Sequence, residues 1–183
     1  MFEFPKRYAD AVAKLRVPSG FLIVAAFAWF SKPNMPSLAI GIPVSVLGLL
    51  LRGWAAGCLA KNQSLATSGP YAYTRNPLYL GTLLVAAGLV IAARSGGLGI
   101  LFAAVFLFVY LPVIQLEEQH LRKLFAEYAS YAARVPVLWP RLTAHAQNKS
   151  NPFRWALYLR NQEYQAGAGF AAGLLFLLWK ILR

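Results

Sequence analysis

The chain has 183 residues, 58% of them hydrophobic and 13% charged, with a net charge of +12 and a mean hydropathy of +0.50. A soluble domain carries about 25% charged residues, so this composition excludes an ordinary soluble fold. It predicts an all-α polytopic membrane helix bundle in a single domain, residues 1–183. The positive charge is spread over alternate loops with no basic block among aromatics, which excludes a nucleic-acid partner, and the single cysteine, Cys58, excludes an internal disulfide.

Residues 1–16 predict an amphipathic helix on the membrane surface, with Phe2, Phe4, Tyr8, Val12 and Leu15 on one face. No small-residue cleavage site follows a tidy apolar core, so the next segment is expected to be a retained span rather than a signal peptide. Pro18-Ser19-Gly20 opens that span, which runs to about Phe30 and is long enough only if it starts at Val17 and Lys32 snorkels; Lys32-Pro33-Asn34-Met35-Pro36 makes a tight outside loop. Leu38 to Ala60 is the second span, with Pro43 inside it and Arg52 in its second half. A charge at that depth either faces a cavity or snorkels to the near interface; both readings stand for Arg52. Residues 61–76 form a polar loop, Pro77 to Ala93 a third span, and Arg94-Ser95-Gly96-Gly97 a second outside turn.

Leu98 to Leu116 is the fourth span, with Pro112 near its end. Glu117 and Glu118 arrive where this helix leaves the membrane, about 100° apart around its axis, so one of them faces any given site. An amphipathic continuation, 120–131, is predicted to bury Leu121, Leu124, Phe125, Tyr128 and Tyr131 and to end before Pro136 and Pro140. A polar linker, 143–150, precedes a second amphipathic piece, 151–163, and a fifth span from Ala166 to Leu182. Gly167, Gly169 and Gly173 follow no strand, which rejects a dinucleotide loop; Gly169 and Gly173 instead predict a small-residue face for close packing or a homodimer through the last helix. His120 and His145 are far apart and lack cysteine partners, so no metal is expected.

Charge asymmetry predicts orientation. Of the 18 Lys and Arg, four lie in 1–16, two in 61–76 and seven in 117–165, against Lys32, Arg94, Lys180 and Arg183 on the other side. The N-terminus and both polar motif regions are therefore expected to be cytoplasmic, in a bacterial inner membrane.

The densest chemistry is in Gly69-Pro70-Tyr71-Ala72-Tyr73-Thr74-Arg75-Asn76-Pro77-Leu78-Tyr79-Leu80-Gly81. Gly69-Pro70 sets a turn, and Asn76-Pro77 ends it and opens a helix whose free N–H groups suit an anion. Taken singly, Tyr71 and Tyr79 also fit an interfacial aromatic belt, and Asn76 a helix cap. The stretch resembles the loop of the integral membrane methyltransferases, the isoprenylcysteine carboxyl methyltransferases and phospholipid N-methyltransferases. Their second block resembles Glu117-Glu118 followed by Phe125, Tyr128, Tyr131 and Val135-Pro136, so the resemblance covers roughly Leu51 to Pro140.

The resemblance implies S-adenosylmethionine as methyl donor, held by Tyr71, Asn76, Pro77, Leu78, Tyr79 and Glu117, with Gln63, Ser64, Leu65 and Ala66 as a further contact strip. Its partners are then membrane lipids and an amphiphilic or lipidated acceptor. Arg75 is the residue expected to fix a substrate anion, and Glu118 the one to accept a proton from an amine. The isoprenylcysteine enzymes hold the substrate carboxylate with an arginine four residues before the first glutamate; here that position is Val113, leaving Arg52 or Arg75 to take its place. Arg160-Asn161-Gln162-Glu163-Tyr164, beyond the resemblance, reads as an anchor for the last span or as a wall of the acceptor pocket.

Overall fold

The computed structural model describes residues 4–144 and 152–183; Phe2 and His145 lie outside that range. The described residues are helical with no strand. Helices α1 (Lys6–Ala13) and α2 (Arg16–Phe30) meet at a 56° bend. They are followed by α3 (Met35–Cys58), the motif loop, α4 (Pro77–Ala93), α5 (Gly96–Val105), a π-helical turn (Phe106–Tyr110) and α6 (Leu111–Leu124). Short α7 (Tyr128–Ala132) and α8 (Trp155–Arg160) precede the last helix, α9 (Tyr164–Leu182).

Among the described residues, three helices are long and apolar enough to cross a bilayer, α3, the continuous run Gly96–Leu124 and α9, or four if the bent α1–α2 pair is one span. The expected third span, α4, has 17 residues and covers about 26 Å at 1.5 Å per residue, short of a hydrocarbon core of about 30 Å.

α3 starts where Asn34 and Ser37 cap each other: Ser37 N donates to Asn34 Oδ1 at 2.9 Å, and Asn34 N donates to Ser37 Oγ at 3.1 Å. It runs antiparallel to α4 with its backbone almost touching. Gly41 opposes Gly88, and Gly48 opposes Gly81; a Cβ on Gly48 would lie 2.6 Å from Gly81 O and 2.7 Å from Val85 N. Seven residues are about two helical turns, so each pair of glycines shares a face. Ser37 and Ser45 reinforce this seam by donating their hydroxyls to Ala92 O and Val85 O. Among the glycines expected to pack closely, Gly169 and Gly173 would bring a Cβ within 4 Å of nothing in the described chain. Gly48→Ala is therefore expected to destabilise the protein by about 1–3 kcal/mol through forced separation of the helices, whereas Gly173→Ala leaves thermal unfolding unchanged or raises it. Melting of the two variants in one detergent checks the contrast.

Three expectations change. α1 does not lie on the surface alone: it docks against α6 and the π-helical turn, burying Ala9 and Val12 while Leu15 is exposed. The amphipathic 120–131 segment is not continuous, because Phe125 is extended and α6 ends at Leu124, which is exposed. Pro112 does more than sit near a helix end. Without an N–H it cannot pair with Phe108 O, four residues back; Tyr8 Oη donates to that carbonyl instead, at 2.8 Å, and the helix widens over 106–110. Phe4 and Gln115 exchange a second pair of bonds, Phe4 N to Oε1 at 2.8 Å and Nε2 to Phe4 O at 3.1 Å.

The ends of the long helices gather as alternate placement requires. Lys32 N donates to Ala93 O at 2.8 Å, and Lys180 Nζ donates to Ser31 O at 2.7 Å, joining α2, α4 and α9 at one end of the bundle. The motif loop and the second motif block occupy the other.

Candidate active site

Gly69 adopts φ +59°, a left-handed angle that glycine takes without strain, and a Cβ there would press on Cys58 Sγ at 3.1 Å. The turn it begins, Gly69–Ala72, delivers Tyr71 inward, and Tyr131 Oη on α7 donates to Tyr71 O at 2.8 Å. Residues 73–76 are then clasped to 136–141. Arg75 N donates to Pro136 O, Arg141 N to Tyr73 O, Thr74 Oγ1 to Val137 O and Leu138 O, and Asn76 Nδ2 to Val137 O, all between 2.9 and 3.2 Å. The Val-Pro portion of the second block is thus the strap of the first.

Two side-chain pairs join the blocks directly. Tyr79 Oη, from the first turns of α4, donates to Glu117 Oε1 on α6 at 2.9 Å. Arg75 Nη1 lies 3.3 Å from Glu118 Oε1, with side chains only 10% and 9% exposed. Glu117 and Glu118 therefore face different surroundings, as adjacent helical residues must: Glu117 is 47% exposed, while Glu118 is in the protein interior. Tyr128 stands beside the Arg75–Glu118 pair, and burial, with the neighbouring Glu118 carboxylate, pushes its phenol well above the ordinary range. Burial, then Tyr131, does the same to Tyr71.

Between the blocks lies a cavity of about 740 Å³, within the range of small-molecule sites. Of the residues expected there, Arg52, Ser64, Leu65, Ala66, Tyr71, Arg75, Leu78, Tyr79 and Glu117 line it. Gln63, Asn76, Pro77 and Glu118 stand behind the lining. Asn76 straps the loop rather than capping α4, Pro77 is fully buried at the start of that helix, and the Gln63 amide lies against Arg160, whose two amino groups its oxygen meets at 3.0 and 3.2 Å once the amide is turned to face donors.

Arg52 faces the cavity and is not a lone snorkelling charge. Nε and Nη2 bind the two oxygens of Glu163 at 2.5 and 3.0 Å, and Nη1 donates to Thr82 Oγ1. Gly81 makes room for the arginine stem, since a Cβ there would lie 2.5 Å from Arg52 Cγ. Asn161 Nδ2 donates to Ala56 O and Leu59 O, both at 2.9 Å, and so covers the end of α3. Asn161 and Glu163 both line the cavity, so the 160–164 run is part of its wall and not an anchor alone.

Among the cavity residues given no role of their own in the sequence reading, two make charged contacts there. Glu163 is one. The other is Arg16, at the α1–α2 bend, whose guanidinium carbon lies 5.9 Å from the ring centres of both Tyr79 and Tyr110. The signal for Glu163 was a carboxylate just before the last span, where it can answer a buried arginine; for Arg16 the one-dimensional sequence held none, because the bend that carries it inward is a tertiary feature.

The lining fits a sulfonium nucleoside. Tyr71, Leu65 and Leu78 offer a flat apolar slot, Glu117 offers an acceptor with half its surface free, and Tyr71 Oη is buried without a hydrogen-bond partner among the described residues. A buried unpartnered hydroxyl is costly unless a ligand completes it. Among the described residues no three His, Cys, Asp or Glu gather as metal ligands.

Residues 38–128, about half of the chain, match the family model described as phospholipid methyltransferase. Similar curated proteins include the cobalt-zinc-cadmium resistance protein CzcN of Cupriavidus metallidurans, 34% identical over 119 residues, 64% of this chain and 54% of that protein. The nickel-cobalt-cadmium resistance protein NccN of Alcaligenes xylosoxydans xylosoxydans is 32% identical over 117 residues, 63% of this chain and 54% of that protein. The chain thus spans about half the length of these relatives. No solved structure matches it. Arg16, Tyr131, Asn161 and Glu163 lie outside the segment matched by the family model.

Proposed function

We propose that this chain, which belongs to the phospholipid methyltransferase family, transfers a methyl group from S-adenosylmethionine to a lipid-like or amphiphilic acceptor at the cytoplasmic face of a bacterial inner membrane. The observation that carries the reading is the Tyr79–Glu117 bond at 2.9 Å, which brings the two motif blocks together on one cavity. S-adenosylmethionine would supply an electrophilic methyl group on a sulfonium. Tyr71, Leu78, Tyr79, Glu117 and the strip Ser64, Leu65 and Ala66 would hold it.

Displacement at such a carbon needs alignment and dryness more than acid–base help. The chain's work is therefore to position and enclose. Tyr79 orients the Glu117 carboxylate, and Tyr131, donating to Tyr71 O, fixes the height of Tyr71. The Arg52–Glu163 pair draws the start of α9 over the cavity to keep water out. Glu118, held against Arg75 behind the lining, is assigned to fixing that arginine. Glu117 is then the carboxylate available to take a proton if the acceptor is an amine, as in a phospholipid head group; a carboxylate or thiolate acceptor needs none. The resistance in the names of the two relatives names no methyl acceptor.

The test is radiolabelled methyl transfer into membrane extracts. Wild-type protein should label a lipid-soluble acceptor, and Glu117→Ala and Tyr79→Ala should each lose about 100-fold or more of that rate. A non-catalytic lipid-binding scaffold would give no label with any of the three proteins.

A further inference from the structure

We propose that Arg16 selects the methyl acceptor by holding an anionic head group, carboxylate or phosphate, at the tyrosine-lined side of the cavity. The inference rests on the methyl-transfer reading above for the identity of the bound molecule as acceptor.

Among the described residues four cations line the cavity: Arg16, Arg52, Lys61 and Arg75. Two are already paired inside the protein, Arg52 with both oxygens of Glu163 and Arg75 with Glu118, although Arg75 Nε is buried without a hydrogen-bond partner among the described residues. Lys61 is an exposed loop amine, a mobile point charge with no ring beneath it. Arg16 differs from all three. Its side chain is 48% exposed, its guanidinium makes no hydrogen bond among the described residues, and its ion pair with Glu117 Oε1 is a long one, at 3.7 Å. That oxygen already accepts from Tyr79 Oη. The two tyrosine rings hold the guanidinium in place by cation–π attraction without consuming its N–H donors. A planar fork so held, with its donors unspent, matches a carboxylate or phosphate in two-point contact.

The position of Arg16 is built rather than incidental. The bend that carries it is fixed to α6 and the π-helical turn by the Phe4–Gln115 exchange and by Tyr8 on Phe108 O. Immediately after Arg16, α2 has no buried residue and exposes Val17, Phe21, Leu22 and Val24. An apolar tail attached to a head group at Arg16 therefore has a lipid-facing helix to run along. The molecule that satisfies both features is a single-chain or lipidated anion, not a free ion.

The experiment uses the full chain in phosphatidylcholine nanodiscs saturated with S-adenosylhomocysteine, titrated calorimetrically with laurate, dodecyl phosphate and dodecanol. Wild-type protein should bind at least one anionic amphiphile about tenfold or more tighter than dodecanol. Arg16→Gln should erase that preference to within about twofold, and Arg16→Lys should keep part of it, with affinity for S-adenosylhomocysteine the same in all three. Preference for laurate would assign a carboxylate head group and preference for dodecyl phosphate a phosphate one. Retained preference in Arg16→Gln overturns the proposal, as does a parallel loss of S-adenosylhomocysteine affinity, which would make Arg16 a ligand of the donor. A wild type that shows the Arg16-dependent preference but binds no S-adenosylhomocysteine supports the anion site and contradicts methyl transfer.

Discussion

Replacing Glu118 with alanine is expected to destabilise the protein by about 3–5 kcal/mol, the cost of leaving one member of a buried ion pair alone. Arg75 is only 10% exposed, and its nearest carboxylate oxygen belongs to Glu118. Its backbone is held as well, through Arg75 N to Pro136 O, so the guanidinium cannot swing to solvent without opening the strap. A chain of this size should then melt roughly 10 °C lower. The double variant Arg75→Met with Glu118→Leu removes both charges and should recover most of the loss. That pattern, a large single and a small double effect, identifies a structural pair. If Glu118→Ala keeps the wild-type melting temperature, Arg75 does not depend on it.

The Glu163→Gln variant should cost about 2–3 kcal/mol and also weaken ligand binding, a combination not expected of Glu118. Glutamine keeps the shape and one acceptor oxygen, but not the charge that answers Arg52. Arg52 retains Thr82 Oγ1 and Leu78 O on α4, so α3 and α4 stay joined while the start of α9 is released. Since Glu163 lines the cavity, its release opens the wall to water. Thermal unfolding reports the first effect, and binding of S-adenosylhomocysteine, weaker by about tenfold, reports the second. Unchanged binding would remove the C-terminal segment from the site.

How far these elements could be read in advance depended on the range of the interactions that make them. Pro77 opens α4 and the Asn34–Ser37 cap opens α3 by local rules, and both helices begin within a few residues of their expected places. The meeting of Tyr79 with Glu117 was legible because two motif blocks occur in order, although 38 positions separate the partners. Arg52 was legible only as an anomaly. Its answer, Glu163, lies 111 positions away in a segment outside the family match, and no periodicity connects them. The glycine seam was present in plain view, as Gly41 and Gly48 facing Gly81 and Gly88, but the closer spacing of Gly169 and Gly173 matched a more familiar pattern and drew attention to the last helix, where no described residue of the chain packs against them. The π-helical turn shows the same limit: Pro112 announces a missing donor, yet only the fold reveals that Tyr8 supplies it.

The most direct measurement is calorimetric titration of the purified protein with S-adenosylhomocysteine. The account predicts one molecule bound per chain with an affinity in roughly the micromolar range typical of enzyme sites, and a loss of about tenfold or more in Glu117→Ala without a lowered melting temperature. Absence of binding by the wild type, or the same affinity with Glu117 removed, would contradict a donor site between the tyrosine-rich turn and the paired glutamates.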